Sequence, residues 1–326
     1  MFLSSRPAIS YRPQRGHTDS HHHVSVCICT YKRPQFLGGL LGRLREQATF
    51  DLFDFSVIVV DNDASRSAES LVSKEKETYP VELCYYVEPE KNISAARNLG
   101  VLHAKSDLIA LIDDDELPER YWLATLFKAM CKYRADGIFG QIKAIYEGEV
   151  PDWVRSSGVI SDVNRVTGAP VPWTEATTGN VLLKRELFFD EGGMFNKAFG
   201  LTGGGDVEFF KRKSEMGYRF IGCDEAVVFA LIVPQRCTRE YMVKRAFLEG
   251  AVYMKIFSGR EKVRRVLKSC IALLLYSSAI PVLLVLGKNR PTKYVIKLCH
   301  HLSMVLACFG LILIKDRTVL ESIEGQ

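Results

Sequence analysis

Apolar and polar residues fall in blocks along the first half of the chain, and the blocks change period regularly. Val24-Ser25-Val26-Cys27-Ile28-Cys29-Thr30 is a short, nearly continuous apolar run, and so is Phe55-Ser56-Val57-Ile58-Val59-Val60. Such runs predict strands buried on both faces. A third strand is expected near Val81 to Val87, and a fourth at Leu108-Ile109-Ala110-Leu111-Ile112. Between them the spacing becomes helical. Phe36, Leu37, Leu40, Leu41 and Leu44 share one helical face behind Pro34, which suits a first helical turn. A helix to about Thr78 follows the second strand, and another starts with Ser94 as its cap. Strand and helix thus alternate four times. This is the pattern of an α/β fold built on a doubly wound parallel sheet.

Beyond a helix from about Glu119 to Tyr133 the pattern is mixed. Gly137 to Tyr146 reads as a strand, and Glu147 to Thr177 is a long segment of Gly, Pro, Ser and Trp, a length that in compact domains is usually functional. A strand resumes at Thr178-Gly179-Asn180-Val181, and Gly203-Gly204-Gly205-Asp206 opens a helix to about Met216. One or two strands are expected over Ile221 to Val233. A basic helix carrying Arg236, Arg239, Lys244 and Arg245 should follow Pro234. The tail is apolar over Leu267 to Gly287 and again over Leu298 to Ile314, lengths at the lower limit for crossing a bilayer. A spanning hairpin would leave Lys288, Arg290 and Lys293 outside, against the positive-inside tendency. Arg260, Lys262, Arg264, Arg265 and Lys268 suit an anionic membrane surface, so in-plane or re-entrant helices, or a buried hairpin, are the alternatives. The expected organisation is a disordered tail over residues 1–23, a catalytic domain over 24–258, and a basic, apolar, membrane-associating helical hairpin over 259–326.

Composition narrows the function classes. The chain has 326 residues, 47% hydrophobic and 25% charged, which suits a folded protein with a sizeable core. A net charge of +5 gives no reason to expect nucleic acid as a partner. Met1 to His23, with His21, His22 and His23, lacks the apolar core of a secretory signal. The nine cysteines include no CxxC pair and are expected to be reduced, buried, small hydrophobes. No GxGxxG follows the first strand and no GxxxxGK[ST] occurs, which disfavours dinucleotide and P-loop folds.

The chemistry concentrates at Asp113-Asp114-Asp115-Glu116, where the fourth strand runs into four consecutive carboxylates. Open α/β sheets bind ligands at the carboxyl ends of their strands. Four adjacent acids repel one another, and a divalent cation carrying a polyphosphate would offset that repulsion. A solvated acidic turn ahead of the next helix is the plainer alternative.

Five segments in order carry a resemblance to the family 2 inverting glycosyltransferases of the GT-A fold. They are Thr30-Tyr31-Lys32-Arg33-Pro34, Val59-Val60-Asp61-Asn62-Asp63-Ala64-Ser65, Asn92 to Gly100, Ile112-Asp113-Asp114-Asp115, and Gly205-Asp206. Gln235-Arg236-Cys237-Thr238-Arg239-Glu240 with Lys244-Arg245 resembles the subset that builds bacterial exopolysaccharide, including succinoglycan-type glycosyltransferases. The resemblance implies that Asp115 holds Mg²⁺ or Mn²⁺, that Asp113 or Asp114 contacts the ribose, and that Asp61 contacts the nucleobase. It places Thr30, Tyr31, Arg33 and Arg97 around the donor nucleotide. Asp206 falls where the family has its base, with Glu208 as the fallback, and the Glu usually preceding that Asp is Gly205 here. Asn180 falls on the donor-sugar wall, and Trp153 and Trp173 are aromatics that could stack on an acceptor. The implied function is transfer of a hexose from a nucleoside-diphosphate sugar, UDP-linked, to a polyprenyl-diphosphate-linked saccharide at the cytoplasmic face of the cell membrane. The rivals are a sugar nucleotidyltransferase and a catalytically degenerate scaffold of the same fold.

Overall fold

The computed structural model describes residues 22–285 and 291–324. Residues 1–21 of the expected tail and the linker residues Lys288, Asn289 and Arg290 lie outside the described residues. The elements are β1 (His22–Thr30), α1 (Pro34–Arg45), β2 (Phe53–Asp61), α2 (Glu69–Lys76), β3 (Leu83–Val87), α3 (Ile93–His103), β4 (Leu108–Asp113), β5 (Glu116–Pro118), α4 (Trp122–Tyr133) and β6 (Gly137–Tyr146). Then come α5 (Asp152–Ser157), β7 (Asn180–Lys184), α6 (Gly205–Glu215), β8 (Phe220–Ile232), α7 (Arg239–Lys255), α8 (Gly259–Val285), α9 (Pro291–Cys308) and α10 (Thr318–Glu324).

All eight strands form one sheet in the order β3-β2-β1-β4-β7-β6-β8-β5. β1 pairs in parallel with β2 on one side and β4 on the other, so the chain reverses its direction of winding there. That switch point opens a crevice at the carboxyl ends of β1 and β4. The sheet is mostly parallel, as expected of this fold, with two antiparallel exceptions whose positions the strand pattern did not show: β7 runs antiparallel to both β4 and β6, and β5 to β8. An apolar run carries no sign of direction, so period alone could not show this. The inversion matters because it sets Asn180, at the start of β7, opposite Ile112, at the end of β4.

Helices cover both faces. On one, Leu37, Leu40, Leu41 and Leu44 of α1 and Trp122, Leu123 and Leu126 of α4 pack against Val24, Val26, Ile28 and Val57. On the other, Ala96 and Val101 of α3 and Phe209 and Phe210 of α6 meet Ile58, Val60, Phe139 and Phe220. A third, smaller apolar cluster joins Phe199, Tyr241, Leu248, Val252 and Leu320, and so ties α10 to α7.

Several expected boundaries move. β1 begins at His22, and the His23 ring nitrogen Nε2 lies 3.0 Å from Ser56 Oγ, so the tail's last two histidines belong to the sheet. The cap of α3 is Asn92, whose side-chain oxygen accepts from the Ala95 N–H at 3.0 Å, rather than Ser94. Arg236 sits on a 3₁₀ turn ahead of α7 instead of on the helix. The 147–177 segment returns to the sheet through bridges from Val163 to Ile142 and from Pro170 to Ile221, while α5 packs against α9. All nine cysteines are free, but Cys131, Cys270 and Cys308 are exposed rather than buried. In the tail, Gly259–Leu284 is long and apolar enough to cross a membrane, whereas α9 packs against α7.

Candidate active site

The crevice is a cleft of about 1510 Å³. Its floor is the carboxyl edge of β1 and β4, and its far wall is built from the 200–207 loop, α7 and α10.

The four acids at the end of β4 are treated very differently by the fold. Asp114 points inward, is 1% exposed, and accepts from Thr30 Oγ1 at 2.7 Å and from the Arg33 guanidinium at 2.6 Å. Burial pushes its carboxyl up, the Arg33 charge opposes this, and Asp115 adds to the rise. Glu116 is also buried, with one carboxylate oxygen accepting from the Asp113 N–H at 3.2 Å and a Cβ on Gly179 excluded by the other at 2.4 Å. Burial, with the neighbouring Asp113 and Asp115 carboxylates, holds its pKa well above the ordinary range. Burial thus favours the neutral form of this carboxyl, which eases the repulsion that the bare sequence suggests.

All four acids line the cleft, but Asp113 and Asp115 are the two left appreciably exposed, at 46% and 14% of their side chains. Asp113 receives Arg97 at 3.3 Å. Asp115 Oδ2 receives two guanidinium groups, Arg33 at 3.3 Å and Arg236 at 2.9 Å. Arg236 was not singled out from the sequence as a site residue; it arrives from the β8–α7 connection, 121 positions away in the chain. No group of three or more metal-ligating side chains stands ready among the described residues. Two hard carboxylates on one cleft edge still fit Mg²⁺ or Mn²⁺, which commonly bind through one or two carboxylates together with the phosphates of a ligand.

Asp206 reaches the same cleft from the opposite wall, in the first turn of α6. The helix is entered through Gly203 and Gly204, both at positive φ (83° and 80°), and a Cβ on Gly204 would meet Val252 Cγ1 at 2.4 Å. The glycine run therefore lets the loop turn sharply against α7. Arg97 lies between the two acidic groups. Burial alone would lower its pKa, but Asp113 first and then Asp206 outweigh it and hold the guanidinium above its ordinary range. The near wall is completed by Tyr31, whose ring lies 4.7 Å from Lys91 Nζ.

Other expected residues lie elsewhere. Asp61, the last residue of β2, is fully buried beneath the loop that follows: its carboxylate accepts from the N–H groups of Asp63 and Ala68 and from Tyr85 Oη. Asn180 accepts from Trp122 Nε1 at 2.7 Å and donates to the carbonyls of Gln141 and Ala226. Glu208 pairs with Arg212 one turn on, and Arg212 in turn binds the carbonyls of Gly193 and Met194. Trp153 lies under Arg239 at 5.2 Å, and Trp173 packs beside Phe257 at 5.9 Å. None of these five side chains lines the cleft. Those that do, beyond expectation, include Lys91, Arg245, Glu249, His300, Arg317 and Glu321. Arg245 and Glu249 pair at 2.7 Å, and an ion pair joins Lys91 to Glu321 across the mouth. A lone Lys or Glu far along the chain carries no signal of such a return.

Comparison with known proteins gives this geometry a family. The model of glycosyl transferase family 2 matches residues 25–195. The chain is 30% identical over 246 residues to the succinoglycan biosynthesis protein ExoM of Rhizobium meliloti (strain 1021), covering 73% of this chain and 76% of that protein. It is 25% identical over 255 residues to the hyaluronan synthase of Pasteurella multocida, of which it spans only 25%. Among solved structures, S. aureus TarS 1-349 in complex with UDP shares the fold with a TM-score of 0.51 at 17% identity, over 93% of this chain and 92% of that one. GalNAc-T7 with UDP, GalNAc and Mn²⁺ shares it with a TM-score of 0.51 at 16% identity, over 66% of this chain and 45% of the other. The nucleotidyltransferase reading is thereby set aside, and the chain belongs to glycosyl transferase family 2, as a GT-A-fold glycosyltransferase of polysaccharide synthesis.

Proposed function

We propose that this enzyme transfers a hexosyl group from a UDP-linked sugar to a hydroxyl of a lipid-linked saccharide, inverting the anomeric centre, at the cytoplasmic face of the cell membrane. The observation that carries the reading is the convergence of the Asp113–Asp115 edge and Asp206, from distant elements, on one cleft with Arg97 between them. The structural neighbours crystallised with UDP support the choice of donor.

The acceptor hydroxyl attacks the anomeric carbon while the bond from that carbon to the diphosphate oxygen breaks. The leaving diphosphate takes the bonding electron pair, and the hydroxyl proton passes to the Asp206 carboxylate. Asp206 is held for this role by a helix start whose own backbone is fixed against α7. Asp113 and Asp115 are the residues that would hold Mg²⁺ or Mn²⁺, which would neutralise charge developing on the diphosphate. Arg33 and Arg236, already gathered on Asp115, supply fixed positive charge at the same edge.

The test is Asp206→Asn. Loss of a positioned base costs about 10²–10⁴-fold in rate, so transfer should fall by at least about a hundredfold while UDP affinity, measured by calorimetry, stays within about twofold. Full transfer by the variant would remove Asp206 as base. Absence of donor hydrolysis by the wild-type protein across a panel of nucleotide sugars would favour the degenerate-scaffold rival.

A further inference from the structure

The apolar tail is arranged as two layers on the flank of the catalytic domain. α9 is the inner layer. It crosses α7 at near-contact, where a Cβ on Gly250 would meet the His300 carbonyl oxygen at 2.4 Å, and Ser303 Oγ donates to the Phe247 carbonyl. Towards its start, Lys293 approaches Gly158 at the end of α5. α9 therefore runs along the domain rather than away from it.

α8 is the outer layer and lies on α9. Ser269 Oγ is 3.4 Å from Met304 Sδ and 3.2 Å from His301 Nδ1, while the Tyr276 ring packs against those of Tyr294 and His301 at 5.7 Å. Near its start Arg265 is clamped to the domain, 4.3 Å from the Phe257 ring and hydrogen-bonded to Tyr253 Oη at 2.6 Å. The side of α8 turned from α9 carries Val263, Leu267, Ile271, Leu274, Leu275 and Val282, each 58–72% exposed. Their spacing places them on one stripe of a helix. Arg260, Arg264 and Lys268 are exposed and follow the same stripe through its first turns. One turn beyond Met304, Phe309, Leu311 and Leu313 are exposed as well, and the chain then enters α10 at the cleft rim.

We propose that α8 lies in the plane of an anionic phospholipid surface, with its apolar stripe sunk into the headgroup–acyl boundary, and does not cross the bilayer. The inference rests on the membrane-proximal reading above and adds its geometry. Gly259–Leu284 has the length and composition to span. A bilayer enclosing α8 along its length would also enclose α9, with its own Lys293 and Lys297, and the face of α7 that carries Glu249 near His300. Lying in-plane buries the stripe and leaves the cations among anionic headgroups. The lipid-facing surface then ends at α10, so an acceptor tethered to the bilayer reaches the cleft from the side of Arg317.

The experiment uses the full chain with vesicles of mixed anionic and zwitterionic phospholipid. The protein should float with them, and Leu274→Asp/Leu275→Asp should lose flotation at least tenfold while hydrolysing soluble donor at the wild-type rate. Depth is read by brominated-lipid quenching of Leu267→Trp and Val282→Trp, both on the stripe, after subtraction of the wild-type signal. In-plane placement predicts equal, shallow depths. Spanning separates them by about 22 Å, and that result overturns the proposal. Flotation unchanged by the double aspartate variant also overturns it, as does a protein that ignores vesicles but dimerises through this face. Loss of donor hydrolysis by the wild type would instead strike the functional reading, whatever the vesicles show.

Discussion

Asn180 distinguishes two accounts of the cleft wall, and its replacement by alanine separates them. The resemblance assigns it to the donor sugar, whereas the structure spends its amide on three hydrogen bonds at 1% exposure. Trp122 Nε1 donates to it at 2.7 Å, and it donates to Gln141 at 3.0 Å and to Ala226 at 2.9 Å. Alanine orphans one indole donor and two carbonyls between the sheet and α4. Each buried group left without a partner costs about 1–3 kcal/mol, or about 3–9 kcal/mol for three. The vacated amide volume is polar and can admit a water, which sets the expectation near the lower end, about 3–4 kcal/mol. At about 2 °C per kcal/mol, the low end that suits a chain of this size, that lowers Tm by about 6–8 °C. The assay is thermal unfolding by circular dichroism, with donor KM measured on the folded enzyme well below the transition. We expect the Tm to fall and KM to stay within about twofold. Gly140→Ala should reproduce the loss, because its Cβ would sit 2.3 Å from both Asn180 Nδ2 and the Ala226 carbonyl. An unchanged Tm with a raised KM or altered donor preference would refute the structural assignment.

Three further outcomes are expected. Chelation should abolish transfer, and Mn²⁺ or Mg²⁺ should restore it; calorimetry should show UDP affinity rising with metal in the wild type but not in Asp115→Asn, and chelator-insensitive transfer would remove the metal from the reaction. Arg236→Gln takes a guanidinium off Asp115, so Mn²⁺ should bind the nucleotide-free protein about three- to tenfold more tightly, equivalent to about 0.6–1.4 kcal/mol; weaker binding would mean that Arg236 orients Asp115 for the metal. Burial pushes the Asp190 carboxyl up, but hydrogen bonds from Lys213 and Tyr218 outweigh this and hold it below the usual range. Its contribution is therefore complete above the unfolded value of about 3.9 and is lost as pH falls through the lower folded value. Acid denaturation should be less steep below about pH 4 in Asp190→Asn than in the wild type, and equal steepness would deny the Asp190–Lys213 pair this role.

Local periodicity determined a good deal about this protein. The strands from Val24, Phe55 and Leu108, the helix behind Pro34 and the acidic run at their carboxyl edge all follow from apolar spacing and a strand tip that gathers charge. Those signals are local, so a linear chain displays them. The family order of the motifs added Asp206 and the location of the cleft.

Tertiary structure decided what the carboxylates do. Asp114 and Glu116 turn inward and Asp113 and Asp115 stay at the cleft, because antiparallel β7 brings Gly179 against Glu116 while Thr30 and Arg33 take Asp114. Strand direction, inward or outward rotation and the arrival of Arg236 or Arg317 from distant elements depend on long-range packing. A residue's neighbours along the chain do not encode it. Asp61, Asn180 and Glu208 have polar side chains that suit a ligand or a buried hydrogen-bond network equally well, and only the groups folded around each of them show which one it meets.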